Sequence, residues 1–165
     1  MNAKTGLKQY REEFDALPLE WKISHTLSKL KFPFMRHNYL FCSVADDYNR
    51  VYTEIEKSIV DSNKPYLISA DTFTAKTLYH FLDANNGKVI FLSNPDLWWV
   101  AGVSDVLCGA LNTAPDGMPW SVGYSGEQTF IFTGVLILLS NEPVKMLNHN
   151  QRLKYMLRDI GITQL

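Results

Sequence analysis

Apolar positions along the chain follow two rhythms. Val51, Ile55, Ile59 and Val60 recur three or four residues apart, with Glu54, Glu56 and Lys57 between them. That spacing predicts an amphipathic helix, which Asp46-Asp47 are placed to cap. The same rhythm runs over 75–84 through Leu78, Phe81 and Leu82, closed by the turn signal Asn85-Asn86-Gly87. It returns over 103–111 and 145–160. Residues 1–30 also read as helical, with Leu17, Leu19 and Trp21 around a punctuating Pro18. The second rhythm is no rhythm at all. Short, uniformly apolar runs stand at 66–69, 89–92 and 135–139, with a shorter one at 130–132. Such runs predict strands buried on both faces, and their alternation with helices predicts a small, mainly parallel sheet flanked by helices. The fold class is α/β. Residues 1–44 read as an N-terminal helical extension and 45–165 as the core.

Composition narrows the classes. A length of 165 residues allows one domain with a proper core. A formal net charge of −1 gives no electrostatic case for a nucleic-acid partner. Cys42 and Cys108 are too far apart in sequence to indicate a disulfide framework, so a cytoplasmic setting is expected. The charged stretch MNAKTGLKQYREEFD lacks the apolar core of a signal peptide, and the run 130–140 is too short to span a bilayer. No membrane association is expected. Neither the four histidines (His25, His37, His80, His149) nor the cysteines have metal-ligand spacing, so no metal site is assigned.

The candidate chemistry lies at 70–77, Ala-Asp-Thr-Phe-Thr-Ala-Lys-Thr, between a strand-like run and a helix. The phosphate-binding pattern G-x-x-x-x-G-K-[ST] occupies the same setting. Here its spacing, Lys76 and Thr77 are kept, while Ala70 and Ala75 stand where the glycines belong. An ordinary strand-to-helix connection is the competing reading. Two apolar strands follow, with polar tips at Ser93-Asn94 and Ser140-Asn141.

On these segments the chain resembles the AAA+-like P-loop ATPases encoded by bacteriophages and mobile elements. Residues 78–112 are similar to the family's helix, Walker B strand and following helix. The run FIFTGVLILLSN, 130–141, is similar to its sensor-1 strand, which puts Asn141 at the sensor position. The resemblance covers about 45–145. It implies a sheet in which the sensor strand lies between the phosphate-loop strand and the Walker B strand. Strand 66–69 is therefore expected to pair with 135–140, and 135–140 with 89–93. A sheet with 66–69 directly beside 89–93 would refute the family assignment.

The departures decide the functional reading. Alanine at Ala70 and Ala75 disfavours the left-handed backbone of an anion-binding nest, so the loop should relax to another shape. Lys76 and Thr77 at a helix N-terminus leave room for weak ATP/Mg binding and not for tight binding. Where Walker B carboxylates belong stand Ser93 and Asn94, neither ionised, with only Asp96 nearby to take a metal role. Residues 78–92 leave no space for the extra strand and helix of a full AAA+ core, and the chain stops at Leu165, short of a C-terminal lid. Arg152 and Arg158 fall where an arginine finger would follow sensor 1, but each reads as a helix-face arginine.

Ala70, Ala75, Lys76, Thr77, Ser93, Asn94, Asp96 and Asn141 thus form a degenerate nucleotide-binding set with no catalytic residue. No resident cofactor is expected. The expected function is a pseudo-ATPase, phage-encoded, that binds an AAA+-type ATPase or a host protein as inactive subunit, adaptor or inhibitor. Adjacent Trp98 and Trp99 cannot both face one core, which makes them partner-binding candidates beside a core-packing reading. The alternatives are a minimal active ATPase, with Lys76 and Thr77 on phosphates and Asp96 on metal, and a nucleic-acid accessory protein. Arg36-His37-Asn38 with Lys29 and Lys31 reads as a solvated basic patch.

Overall fold

The computed structural model describes residues 3–32, 38–43, 45–93, 100, 102–111, 121–141 and 162–164. Helices α1 (Ala3–Asp15) and α2 (Leu19–Leu27) are separated at Pro18, as the ring's fixed φ and missing N–H dictate. A short 3₁₀ turn over Ser28–Lys31 follows. Strand β1 (Tyr39–Cys42) comes next, then α3 (Tyr48–Asp61), β2 (Tyr66–Ser69), α4 (Ala75–Ala84), β3 (Val89–Leu92) and α5 (Val103–Leu111). A small antiparallel pair, β4 (Ser121–Val122) and β5 (Phe130–Ile131), precedes β6 (Val135–Ser140), and β7 (Ile162–Gln164) is last.

Five strands form one parallel sheet in the order β2-β3-β6-β1-β7. Alternate residues divide between two cores, as period-2 strands must. Leu40 of β1, Ile90 and Leu92 of β3, and Leu136 and Leu138 of β6 face α4 and α5. Tyr39 and Phe41, Val89 and Phe91, and Val135, Ile137 and Leu139 face α2 and α3. The layered α/β architecture is the expected one. Helices α4 and α5 have the expected bounds.

Several expectations need correction. Strand Tyr66–Ser69 does not pair with β6; it lies directly beside β3, with Ile68 opposite Phe91. It is the sheet edge and not a buried strand, with Tyr66 43% exposed and the rest half-buried. The place beside β6 belongs to β1, which the helical reading of 1–44 missed. Tyr39-Leu40-Phe41-Cys42 is an apolar run of the same kind as the other strands, but it follows helices with no turn signal before it.

Asn38 is no member of a solvated patch either. Its Oδ1 accepts the Leu136 N–H at 2.8 Å, and its Nδ2 donates to the carbonyls of Ala110 and Leu111 at 3.4 and 3.5 Å. One side chain thus satisfies the C-terminal carbonyls of α5 and a backbone donor of β6. Val60, expected on the apolar stripe of α3, is exposed, while Val51, Ile55 and Ile59 are buried. The 115–119 loop and the 145–160 helix lie outside the described residues.

Candidate functional site

Strand order locates the switch point of the sheet. From β1 the chain passes through α3 to β2 at one edge, whereas from β6 it goes on to β7 on the far side of β1. Neighbouring strands β1 and β6 therefore send the chain in opposite directions. In open α/β sheets, ligands bind outside the carboxyl ends of the strands at such a switch point. The tips here are polar and buried: Ser43 after β1, Ser140 ending β6 and Ser93 after β3. The Ser43 N–H donates to the Ser140 carbonyl at 2.9 Å, and the Ser93 N–H to that of Ser69 at 3.0 Å. Helix α3 opens onto these tips.

The start of α3 carries the wrong charge for a phosphate. Asp46 and Asp47 immediately precede it, where the helix dipole would otherwise favour an anionic ligand. Asp47 holds the N-cap position without a side-chain cap bond, contrary to the capping expected of it. It lies 3.8 Å from Arg50. Arg50 also pairs with Glu20, tying α3 to α2. That hydrogen bond, with a backbone contribution from Glu20 itself, holds the Glu20 carboxyl below its usual range. In the first turn of α3, the Tyr48 hydroxyl donates to the Ser93 carbonyl at the tip of β3.

The loop 70–77 follows the edge strand β2. Two strands stand between β2 and β1, so it lies about 14 Å from the switch point at strand spacings of about 4.8 Å. No residue in it has positive φ; among the described non-glycine residues only Asn63 does. An anion nest needs such residues, so the backbone here does not form one. Phe73 is buried against Phe81, with ring centroids 5.0 Å apart, and anchors the loop. Thr74 caps α4 through a reciprocal pair: Thr74 Oγ1 accepts the Thr77 N–H at 3.2 Å, and Thr77 Oγ1 accepts the Thr74 N–H at 2.8 Å. Thr77 is thus engaged in a capping box. Ala75 is half-buried, while Ala70 and Lys76 are exposed.

The sequence-predicted residues therefore divide. Ala70, Ala75, Lys76 and Thr77 sit at the edge. Ser93 and exposed Asn141 follow the adjacent strands β3 and β6, near the switch. Asn94, Asp96, Trp98 and Trp99 lie outside the described residues, as do Arg152 and Arg158. Sequence reasoning missed Ser43 and Tyr48. The signal available for them was the strand-loop-helix order of 39–48, the same one that drew attention to 66–77. Elsewhere, Trp21 is 46% exposed and stacks on His25 with centroids 4.7 Å apart. Among the described residues, no group of three or more His, Cys, Asp or Glu is placed to hold a metal ion. No helix there is long and apolar enough to cross a membrane.

No protein-family model and no curated protein matches the chain. Solved structures do. A RuvB P216G mutant from Thermotoga maritima superposes with a TM-score of 0.57 at 12% identity, over 92% of this chain and 48% of the RuvB chain. The chain thus spans about half the length of that structure. RuvB is an AAA+ P-loop ATPase. The likeness was expected to fail with 66–69 beside 89–93. It holds because β1 stands in the place first given to β2, leaving β6 between β1 and β3. At this identity the comparison speaks for fold alone: the chain has a P-loop NTPase-like α/β fold of the AAA+ kind.

Proposed function

We propose that the chain is a non-catalytic P-loop ATPase-like protein, phage-encoded, that works by binding another protein. In this reading it serves as an inactive subunit beside an AAA+-type ATPase, or as an adaptor or inhibitor of a host protein. One observation carries the proposal: the strand tips at the switch point end in neutral, buried serines, and the helix opening onto them begins with Asp46-Asp47 where a phosphate needs a cation. A phosphoryl-transfer site needs positive charge on the phosphates and a carboxylate to hold Mg²⁺. Ser43, Ser93 and Ser140 supply neither. Trp98 and Trp99 are the proposed partner contacts, and the host cytoplasm is the proposed setting.

The runner-up reading, a minimal active ATPase using Lys76, Thr77 and Asp96, draws on the exposed Lys76 in the first turn of α4. Steady-state hydrolysis separates the two. Purified protein with ATP and Mg²⁺ is expected to release no phosphate above background. Turnover that disappears in Lys76→Ala would establish the runner-up instead. A nucleic-acid role is tested by mobility shift, where no binding to single- or double-stranded DNA at low salt is expected.

A further inference from the structure

Helices α2 and α3 bury Ile23, Leu27, Val51, Ile55 and Ile59 in one core, and a groove of about 490 Å³ remains between their outer flanks. That volume is ample for a partner's side chains. From α3 come Glu54, Lys57 and Asp61, three and four residues apart and so on one face of the helix. From α2 come Glu20 and Trp21. Three carboxylates against one ammonium leave the groove negative. Arg50 engages Glu20 and fixes α2 on α3, whereas Glu54 and Asp61 make no salt bridge among the described residues. Trp21 is also a wall of a second hollow, of about 240 Å³, that it shares with Tyr10, Glu13, Phe14 and Leu17. Lys22 holds α1 and α2 together there: its Nζ donates to the Asp15 carbonyl at 2.7 Å and stands 5.9 Å from the Phe14 ring centroid. One exposed indole thus borders an apolar hollow on one side and an acidic groove on the other.

We propose that Trp21 and the two hollows beside it form a docking surface for a protein partner whose contacting segment carries an apolar side chain next to an arginine or lysine. The proposal rests on the reading that the chain works by binding another protein, and it supplies the surface and the partner's chemistry. The apolar side chain fills the α1–α2 hollow, and the cation enters the α2–α3 groove against Trp21, Glu54 and Asp61. Tryptophan is the residue type most enriched among side chains that carry binding energy, and the carboxylates around it select the partner's charge. Charge also decides between occupants. An acidic segment would meet Glu13, Glu54 and Asp61 with like charge. A second copy docking through the same patch would bring the same negative groove against its twin.

Selection from a random peptide-display library on the full chain tests this without presupposing a sequence. Enriched peptides should share an arginine or lysine close to a leucine or aromatic residue. Their binding, read by fluorescence anisotropy, should weaken about tenfold or more in Trp21→Ala and about three- to tenfold in Glu54→Gln with Asp61→Asn. Lys57→Gln, which removes the groove's own cation, should tighten binding. The charge variants leave the α2–α3 core intact, so their result stands even where Trp21→Ala fails to fold. No enriched peptide, enrichment of acidic peptides, binding indifferent to the charge variants, or weaker binding in Lys57→Gln would overturn the proposal. Sedimentation equilibrium should show no dimer held by this patch, and a dimer that Trp21→Ala dissociates would give the surface to a second copy and overturn it too. ATP hydrolysis beside the expected peptide pattern would instead overturn the non-catalytic reading and leave the docking surface standing.

Discussion

At the residue scale, small contacts decide between structural and chemical roles. Thr77 is the sharpest case. Its hydroxyl accepts the Thr74 N–H, so Thr77→Val, which removes that bond and keeps the one from its own N–H to Thr74, should cost about 0.5–1.5 kcal/mol of stability in a denaturant titration. A hydroxyl kept for Mg²⁺ would leave stability unchanged. Gly134 is a second case. A Cβ there would stand 2.4 Å from the Lys88 carbonyl oxygen, which already accepts the Val135 N–H at 3.1 Å. Gly134→Ala should therefore cost about 1–3 kcal/mol, because backbone has to move. Tyr39 gives a pH test. Burial pushes its hydroxyl up to about 12, from an ordinary 10.0. A raised folded-state value means that its contribution is fully present below pH 10 and is lost as pH rises through 12. Unfolding midpoints should hold up to about pH 10 and then fall, with less of that fall in Tyr39→Phe.

At the element scale, the question is which strand carries the fold. Strand β1 has partners on both sides and buries Phe41 completely, whereas β2 is an edge strand and Leu67 is half-buried. Phe41→Ala should cost about 3–5 kcal/mol and Leu67→Ala clearly less, measured by chemical denaturation. A chain beginning at Ala45, the boundary expected between extension and core, should fail to fold, because it leaves β6 without its central neighbour. A cooperative unfolding transition from that chain would contradict the sheet order.

The same elements show what was legible. Helices with a single apolar stripe and a turn signal, 75–84 above all, could be read to their ends. Strands could be recognised as buried runs, but their order in the sheet could not. Pairing depends on which faces meet across the chain, and Tyr66-Leu67-Ile68-Ser69 looks as apolar as Tyr39-Leu40-Phe41-Cys42. A lysine and threonine at motif spacing drew the phosphate-loop reading to 70–77. Physically, that spacing also suits a Thr-x-x-Thr helix cap. Ser43 and Tyr48 escaped notice because serine and tyrosine carry no spacing signature; only topology brings them to the tips of β3 and β6.

At the scale of the whole molecule, the fold and the proposed function rest on different observations. The layered parallel sheet is of the AAA+ kind, while the strands at its switch point end in buried serines and two aspartates precede α3. A likeness of fold says little about activity, since function lies in the site rather than the scaffold. On the proposed non-catalytic reading, this scaffold holds no nucleotide tightly. Isothermal titration of Mg-ATP into the pure protein tests it most directly. No saturable heat is expected below about millimolar, a limit that corresponds to roughly 4 kcal/mol of binding free energy. Micromolar binding that requires Mg²⁺ and is lost in Thr77→Val, with the fold of that variant intact, would contradict it.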